Sequence, residues 1–210
     1  MKLVIIDYGI GNTKSLINAF HKINSCSVVL SDDEEIINNS DLILIPGVGA
    51  FEKAMKELKK RDLVRIIRNY AKSNKPILGI CLGMQLLFES SEEFGSNKGL
   101  GLIKGNVVRF PDTTKDKIPH VSWNNLNLIS NESSFFDGIK NEYYYFVHSF
   151  ICKPMNKSEI LTTSNYGGVE FCSSVNKNNI YGFQFHPEKS SKFGLLMLEN
   201  FINTIKKSLK

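Results

Sequence analysis

Residues 76–89 read "PILGICLGMQLLFE": an apolar run, a cysteine set between Gly79 and Gly83, then apolar residues at helical spacing. This reads as a strand turning sharply into a helix, with Met84, Leu87 and Phe88 on one side of that helix. Small residues on both flanks of Cys81 permit a turn that larger side chains would obstruct, and the turn holds the sulfur up. The pattern is a nucleophile elbow with cysteine in place of serine. A thiol at a helix N-terminus also feels the helix dipole, which favours the thiolate. The plainer alternative is a buried structural cysteine, the usual fate of a free thiol.

Upstream of the elbow, strand-like and helical patterns alternate. "KLVIID" (2–7), "CSVVL" (26–30), "DLILIPG" (41–47) and "KPILGI" (75–80) read as strands, with "NTKSLINAFHKI" (12–23) between the first two as a helix. "FEKAMKELKKRDLVRIIRNYAK" (51–72) carries Phe51, Met55, Leu58, Leu63, Ile66, Ile67 and Tyr70 at near-helical spacing. Strands alternating with helices predict a mostly parallel central sheet flanked by helices. Downstream, "GLIKGNVVRF" (101–110), "KIPHVSWNNLNLI" (117–129), "EYYYFVHSFIC" (142–152), "EILTTSNYG" (159–167), "VEFCSSVNKNN" (169–179) and "IYGFQF" (180–185) are β-rich with turn residues between them. They predict an added antiparallel or mixed part continuing the same core. "SKFGLLMLENFINTIKK" (191–207) closes the chain as an amphipathic helix. The fold class is α/β, with residues 1–210 as one domain.

Composition excludes several classes of function. With 42% hydrophobic and 22% charged residues over 210 positions, the chain can bury one substantial core and is not disordered. Asp7 comes too early for a signal-peptide apolar region, and no run approaches the roughly 18 apolar residues of a membrane span. A cytoplasmic protein is expected. Cys26, Cys81, Cys152 and Cys172 form no C-x-x-C pair, so reduced thiols and no metal are expected. The net charge of +5 is dispersed, "KKSLK" (206–210) resembles an ordinary helix end, and no recognition motif accompanies it, so nucleic acid is not expected as a partner. "GIGNTK" (9–14) and "GVGAFE" (47–52) lack the last glycine or alanine of a dinucleotide fingerprint; no cofactor is expected.

A nucleophilic cysteine needs a base. Of four histidines, His21 sits in a helical pattern and reads as a surface residue, while His120 and His148 fit either structural or supporting roles. His186 follows a strand and opens "HPE", where strand ends converge on a crevice. Glu188, two residues on, can reach back to the far imidazole nitrogen and fix its tautomer. Taken alone, H-P-E also reads as a solvated loop.

Together, G-x-C-x-G and H-P-E resemble the class I glutamine amidotransferases, flavodoxin-like enzymes that hydrolyse glutamine with a Cys-His-Glu triad. "IDYGIGN" (6–12), "LIPGVGAF" (44–51), "IPHVSWN" (118–124), "YYYFVHSF" (143–150) and "YGFQFHPEKS" (181–190) resemble, in order and spacing, the glutaminase subunits of imidazole glycerol phosphate synthase. The resemblance implies Cys81 as nucleophile, His186 as base and then acid, and Glu188 as orienter. It places oxyanion donors at Leu82 N–H and in the "PGVG" loop through Gly47, Val48 and Gly49. Gln85 would bind the substrate's amino or carboxylate group, and His148, Ser149 and Phe150 would offer backbone contacts. The implied partner is the (β/α)8 cyclase subunit in a heterodimer, met by Asn12, Trp123 and Asn124. That subunit would use the ammonia to make imidazole glycerol phosphate and aminoimidazole carboxamide ribotide in histidine biosynthesis. Val121-Ser122 stands where the family usually has Met-Gly. A paralogue feeding another synthase, such as one for amidino sugars of surface polysaccharide, would share the triad; a non-catalytic scaffold would not need it.

Overall fold

The structure, a computed structural model, describes residues 1–129, 134–139 and 142–209. In chain order the first half is β1 (Lys2–Ile6), α1 (Thr13–Ile23), β2 (Ser27–Ser31), α2 (Glu34–Asn38), β3 (Leu42–Ile45), α3 (Phe51–Lys60), α4 (Leu63–Lys72), β4 (Ile77–Ile80) and α5 (Leu82–Leu86). Then come β5 (Phe88–Ser91), β6 (Asn97–Lys98), β7 (Ile103–Arg109), β8 (His120–Asn125), β9 (Asn127–Leu128), β10 (Tyr143–His148) and β11 (Phe150–Pro154). The chain finishes with β12 (Ile160–Tyr166), β13 (Val169–Lys177), β14 (Ile180–Phe183) and α6 (Ser191–Ser208). Lys210 of the terminal "KKSLK" lies outside the described residues.

The main sheet runs β2-β1-β3-β4-β14-β13-β11-β7-β5-β6. From β2 to β14 every pairing is parallel; β13, β11 and β7 then pair antiparallel in turn. The parallel strands are apolar on both faces because helices cover both. Val4, Ile6, Ile43, Ile45 and Ile77 pack with Phe51, Leu58, Leu63 and Ile66 from α3 and α4. Leu3, Ile5, Leu42, Leu44, Leu78 and Ile80 pack with Phe20 of α1 and Met197, Leu198 and Phe201 of α6. One strand therefore serves two cores, which explains runs such as "LILI" in β3. Among the described residues no helix is long and apolar enough to cross a membrane.

Four boundaries differ from the sequence expectation. The helical pattern over 51–72 is two helices, because Asp62 takes a left-handed conformation (φ 57°) at the junction. Aspartate tolerates that region, and its carboxylate pairs with Arg65 on the next turn. The helix after Cys81 ends at Leu86, and Phe88 instead begins β5, paired parallel to β7. The stretch 142–152 divides at Ser149: β10 pairs with β8 in a separate two-stranded sheet, while β11 joins the main one. Likewise 117–129 is two strands, β8 and β9, which belong to different sheets.

Candidate active site

Cys81 sits at the apex of the β4–α5 turn with φ 54° and ψ −112°, a conformation that costs a β-carbon-bearing residue about 1–3 kcal/mol. The surroundings enforce it. A Cβ on Gly83 would overlap the Ile45 carbonyl oxygen, and one on Gly79 would lie 2.7 Å from the Met84 nitrogen. The Cys81 amide donates to Phe183 O (2.7 Å), tying the turn to the end of β14. Sγ lies 3.9 Å from the Val147 carbonyl and 3.8 Å from Gln184 Nε2.

His186 follows β14 by three residues, and its amide donates to Tyr145 O (2.9 Å). Ser190 Oγ staples the same turn, donating to His186 O (2.6 Å) and accepting from Tyr145 N (3.0 Å). His186 Nδ1 lies 2.8 Å from Glu188 Oε1, with the two side chains only 3% and 2% exposed. A carboxylate can only accept, so Nδ1 carries the proton and Nε2 is left over. That Nε2 is buried and has no hydrogen-bond partner among the described residues. Burial opposes charging the ring. The charge of a Cys81 thiolate and the Glu188 carboxylate outweigh it and hold the imidazole well above its ordinary pKa.

A cavity of about 400 Å³ opens over the sulfur, lined by Cys81, Leu82 and Gln85 below and by Val48–Ala50, Glu93, Phe94, Pro119 and 147–150 around it. The 46–49 loop is anchored at one end. A Cβ on Gly47 would meet the Tyr8 hydroxyl at 2.7 Å and Leu82 Cβ at 2.9 Å, and Tyr8 donates to Pro46 O. At its other end Gly49 has φ 97° and Val48 is 39% exposed. Glu93 Oε2 accepts from Phe51 N (2.7 Å), capping α3 where Ala50 offers no side-chain cap.

Opposite the loop, a hydrogen-bonded chain fixes the 148–150 segment. His148 Nδ1 lies 2.8 Å from Phe150 O, an obligate acceptor, so that nitrogen is protonated. His148 Nε2 must then accept from His120 Nδ1 at 3.1 Å. Burial keeps both rings neutral, lowering His148 to about 3 and His120 to about 4. Phe150 O also receives Gln85 Nε2 (3.2 Å).

Residues 4–205 match the family described as glutamine amidotransferase class-I. The chain belongs to the class-I glutamine amidotransferase family. It is 46% identical to "Imidazole glycerol phosphate synthase subunit HisH" of Aquifex aeolicus over 202 residues, covering 96% of each chain. The subunit of the same name from Sulfurimonas denitrificans is 48% identical over 204 residues, covering 95% of this chain and 96% of the relative. Among solved structures, "Structure of PurLQS from Thermotoga maritima" superposes with a TM-score of 0.74 at 20% identity, covering 100% of this chain and 99% of that one. At that identity the likeness concerns the fold.

In this amidotransferase the structure gathers Cys81, Leu82, Gln85, Val48, Gly49, His148, Ser149 and Phe150 around one cavity. Gly47 is buried beneath it. Asn12 is exposed and also caps α1, accepting from Ser15 N (3.3 Å). Trp123 is half exposed beside Tyr145, while the Asn124 amide is tied to Asn165 O (2.8 Å). Sequence reading assigned no role to Glu93, Phe94, Ser190 or Gln184. For Gln184 a signal existed: a polar residue between Phe183 and Phe185, fully buried in the fold.

Proposed function

We propose that this chain hydrolyses glutamine to glutamate and ammonia and passes the ammonia to a (β/α)8 cyclase subunit, as the glutaminase half of a cytoplasmic imidazole glycerol phosphate synthase. The names of its relatives support the pathway. The observation that carries the chemistry is a cysteine on a strained elbow within electrostatic reach of the imidazole of a buried 2.8 Å His186–Glu188 pair.

In this reading the Cys81 proton passes to His186 Nε2 and the thiolate attacks the glutamine amide carbon. The resulting oxyanion points to the first amides of α5, Leu82 foremost, which have no intrahelical acceptor, and to an amide of the 48–49 segment. His186 then protonates the departing ammonia and next takes a proton from the water that hydrolyses the thioester. Glu93, the only carboxylate among the described residues that line the cavity, suits the substrate's α-ammonium. Gln85 has both amide protons engaged, by Phe150 O and Gln184 Oε1, so its oxygen is left for a substrate donor. The partner would seat on the outer face of the β8–β10 sheet, where Val121, Trp123 and Tyr143 are exposed beside the site.

The test is glutamine turnover by Cys81→Ala and Cys81→Ser in complex with a candidate cyclase. Glutamine-dependent synthesis should disappear while ammonia-dependent synthesis survives; wild-type glutamine turnover in either variant refutes the assignment. His186→Ala should lose a comparable amount and Glu188→Gln less, since an orienter is partly replaced by packing.

A further inference from the structure

Gln184 is fully buried between two phenylalanines, one residue past the end of β14, where an apolar side chain would pack at lower cost. Its amide is aimed at the nucleophile, and which end faces the sulfur follows from its neighbours. Phe150 O can only accept, so the Gln85 atom 3.2 Å away is nitrogen. That same nitrogen lies 3.1 Å from Gln184, so the Gln184 atom there is oxygen. The opposite assignment would press two NH2 groups together, donor against donor. The Gln184 nitrogen therefore faces Cys81 Sγ, at 3.8 Å.

We propose that Gln184 is the residue that holds Cys81 as a thiolate in line for attack, its amide N–H donating to the sulfur, with its own orientation set through Gln85 and the Phe150 carbonyl. The proposal rests on Cys81 being the nucleophile. Two contacts then compete at the sulfur. The Val147 carbonyl, 3.9 Å away, accepts only from the thiol, whereas the Gln184 N–H stabilises the anion more than the weakly accepting thiol. As the proton leaves for His186, the sulfur exchanges the first contact for the second. His148 fixes the Phe150 carbonyl on its other lone pair, so the chain from His120 to Gln184 is a rigid support for one donor.

Other groups also act on this sulfur. His186, backed by Glu188 beyond the end of β14, Tyr8 beyond the end of β1, and Cys152 of β11 lie within electrostatic reach of it; His148 and Glu93 line the same cavity. The experiment therefore changes Gln184 alone. The full chain is alkylated with iodoacetamide over a pH series, with Cys81 modification read by mass spectrometry, for the wild type, Gln184→Met and Gln184→Glu. Methionine keeps the volume and removes the donor. Loss of a hydrogen bond to a charged sulfur should slow alkylation at neutral pH about tenfold and move the alkylation limb up by about one pH unit. Gln184→Glu, which turns an oxygen to the sulfur, should be at least as slow.

A wild-type profile in a folded Gln184→Met overturns the proposal and leaves the triad standing. Alkylated wild-type chain that still hydrolyses glutamine in complex with the cyclase overturns the triad itself. Should both variants fail to fold, the side-chain amide resonances of Gln184 in the ¹⁵N-labelled wild type decide: they must move as Cys81 ionises, and fixed resonances refute the contact.

Discussion

Gly83 has no room for a single added carbon, because Ile45 O already occupies the position a Cβ would take. Gly83→Ala must push α5 off the end of β3, an overpacking that costs roughly 1–3 kcal/mol. It also displaces Leu82 N–H and Cys81 together. The expected result is a lower urea midpoint and a loss of glutamine turnover larger than the stability change explains; a variant with both at wild-type values would show that the elbow is not held this way. The same tightness made the elbow legible in the sequence, since Gly79 and Gly83 state their steric demand within five residues. His186 and Glu188 were legible for a similar reason, lying two positions apart. Gln184 and Glu93 were not, because their meaning depends on partners far along the chain: Cys81 is 103 residues from Gln184, and Phe51 is 42 residues from Glu93. A polar side chain with a remote partner leaves no local spacing to read.

The β8–β10 pair is the element that carries the histidine chain, with His120 directly opposite His148 in register. His120 is sandwiched between Phe146 and Tyr166, at ring centroid separations of 5.0 and 4.0 Å. Burial is the main cause of both lowered pKa values, about 4 for His120 and about 3 for His148. The unfolded chain protonates both rings near pH 6.5, about the ordinary histidine value. The stability they contribute is therefore complete above about pH 6.5 and is lost as pH falls from there through 4 and 3, with unfolding taking up about two protons in that window. His120→Phe keeps the aromatic sandwich and removes one titrating group. It should flatten the acid limb of the urea midpoint against pH by about one proton; parallel limbs for variant and wild type would exclude a neutral pair. Element boundaries were the less legible part of the fold. The apolar spacing of 51–72 continues smoothly through Asp62, so periodicity alone gives one helix where a left-handed residue makes two. At Phe88 the side chain is buried in either state, and only its pairing with Ile103 makes it a strand.

At the scale of the molecule, the parallel order β1-β3-β4-β14 sets the ends of three neighbouring strands side by side. The 46–49 loop follows β3, Cys81 follows β4, and His186 lies three residues past β14. Alternating strands and helices foretold this crevice; the placing of β8 and β10 as a separate sheet beside it depends on long-range pairing and was not foretold. That small sheet joins the site to the outside. Tyr145, Val147 and Trp123 share its outer face, while Tyr145 O holds His186 and Val147 O faces the sulfur. A partner pressing on this face acts directly on the strand that contacts both catalytic candidates. The 46–49 loop has the freedom to respond, being pinned at Gly47 but open at Gly49, where nothing lies within 4 Å of a Cβ position. One oxyanion donor is worth about 2.7–4 kcal/mol, or roughly 100- to 1,000-fold in turnover. If rotation of a 48–49 peptide supplies that donor, the free chain should be nearly silent towards glutamine, and its complex with the cyclase and that subunit's nucleotide should exceed it by at least this factor. Iodoacetamide should modify Cys81 in both forms, because the nucleophile is already in place. Trp123→Ala should raise the partner concentration for half-activation roughly 30-fold, about 2 kcal/mol, and leave the plateau unchanged, since the anchor lies outside the cavity. Equal turnover in free chain and loaded complex would rule out the loop as a switch, and a lowered plateau in Trp123→Ala would place that residue within the coupling itself.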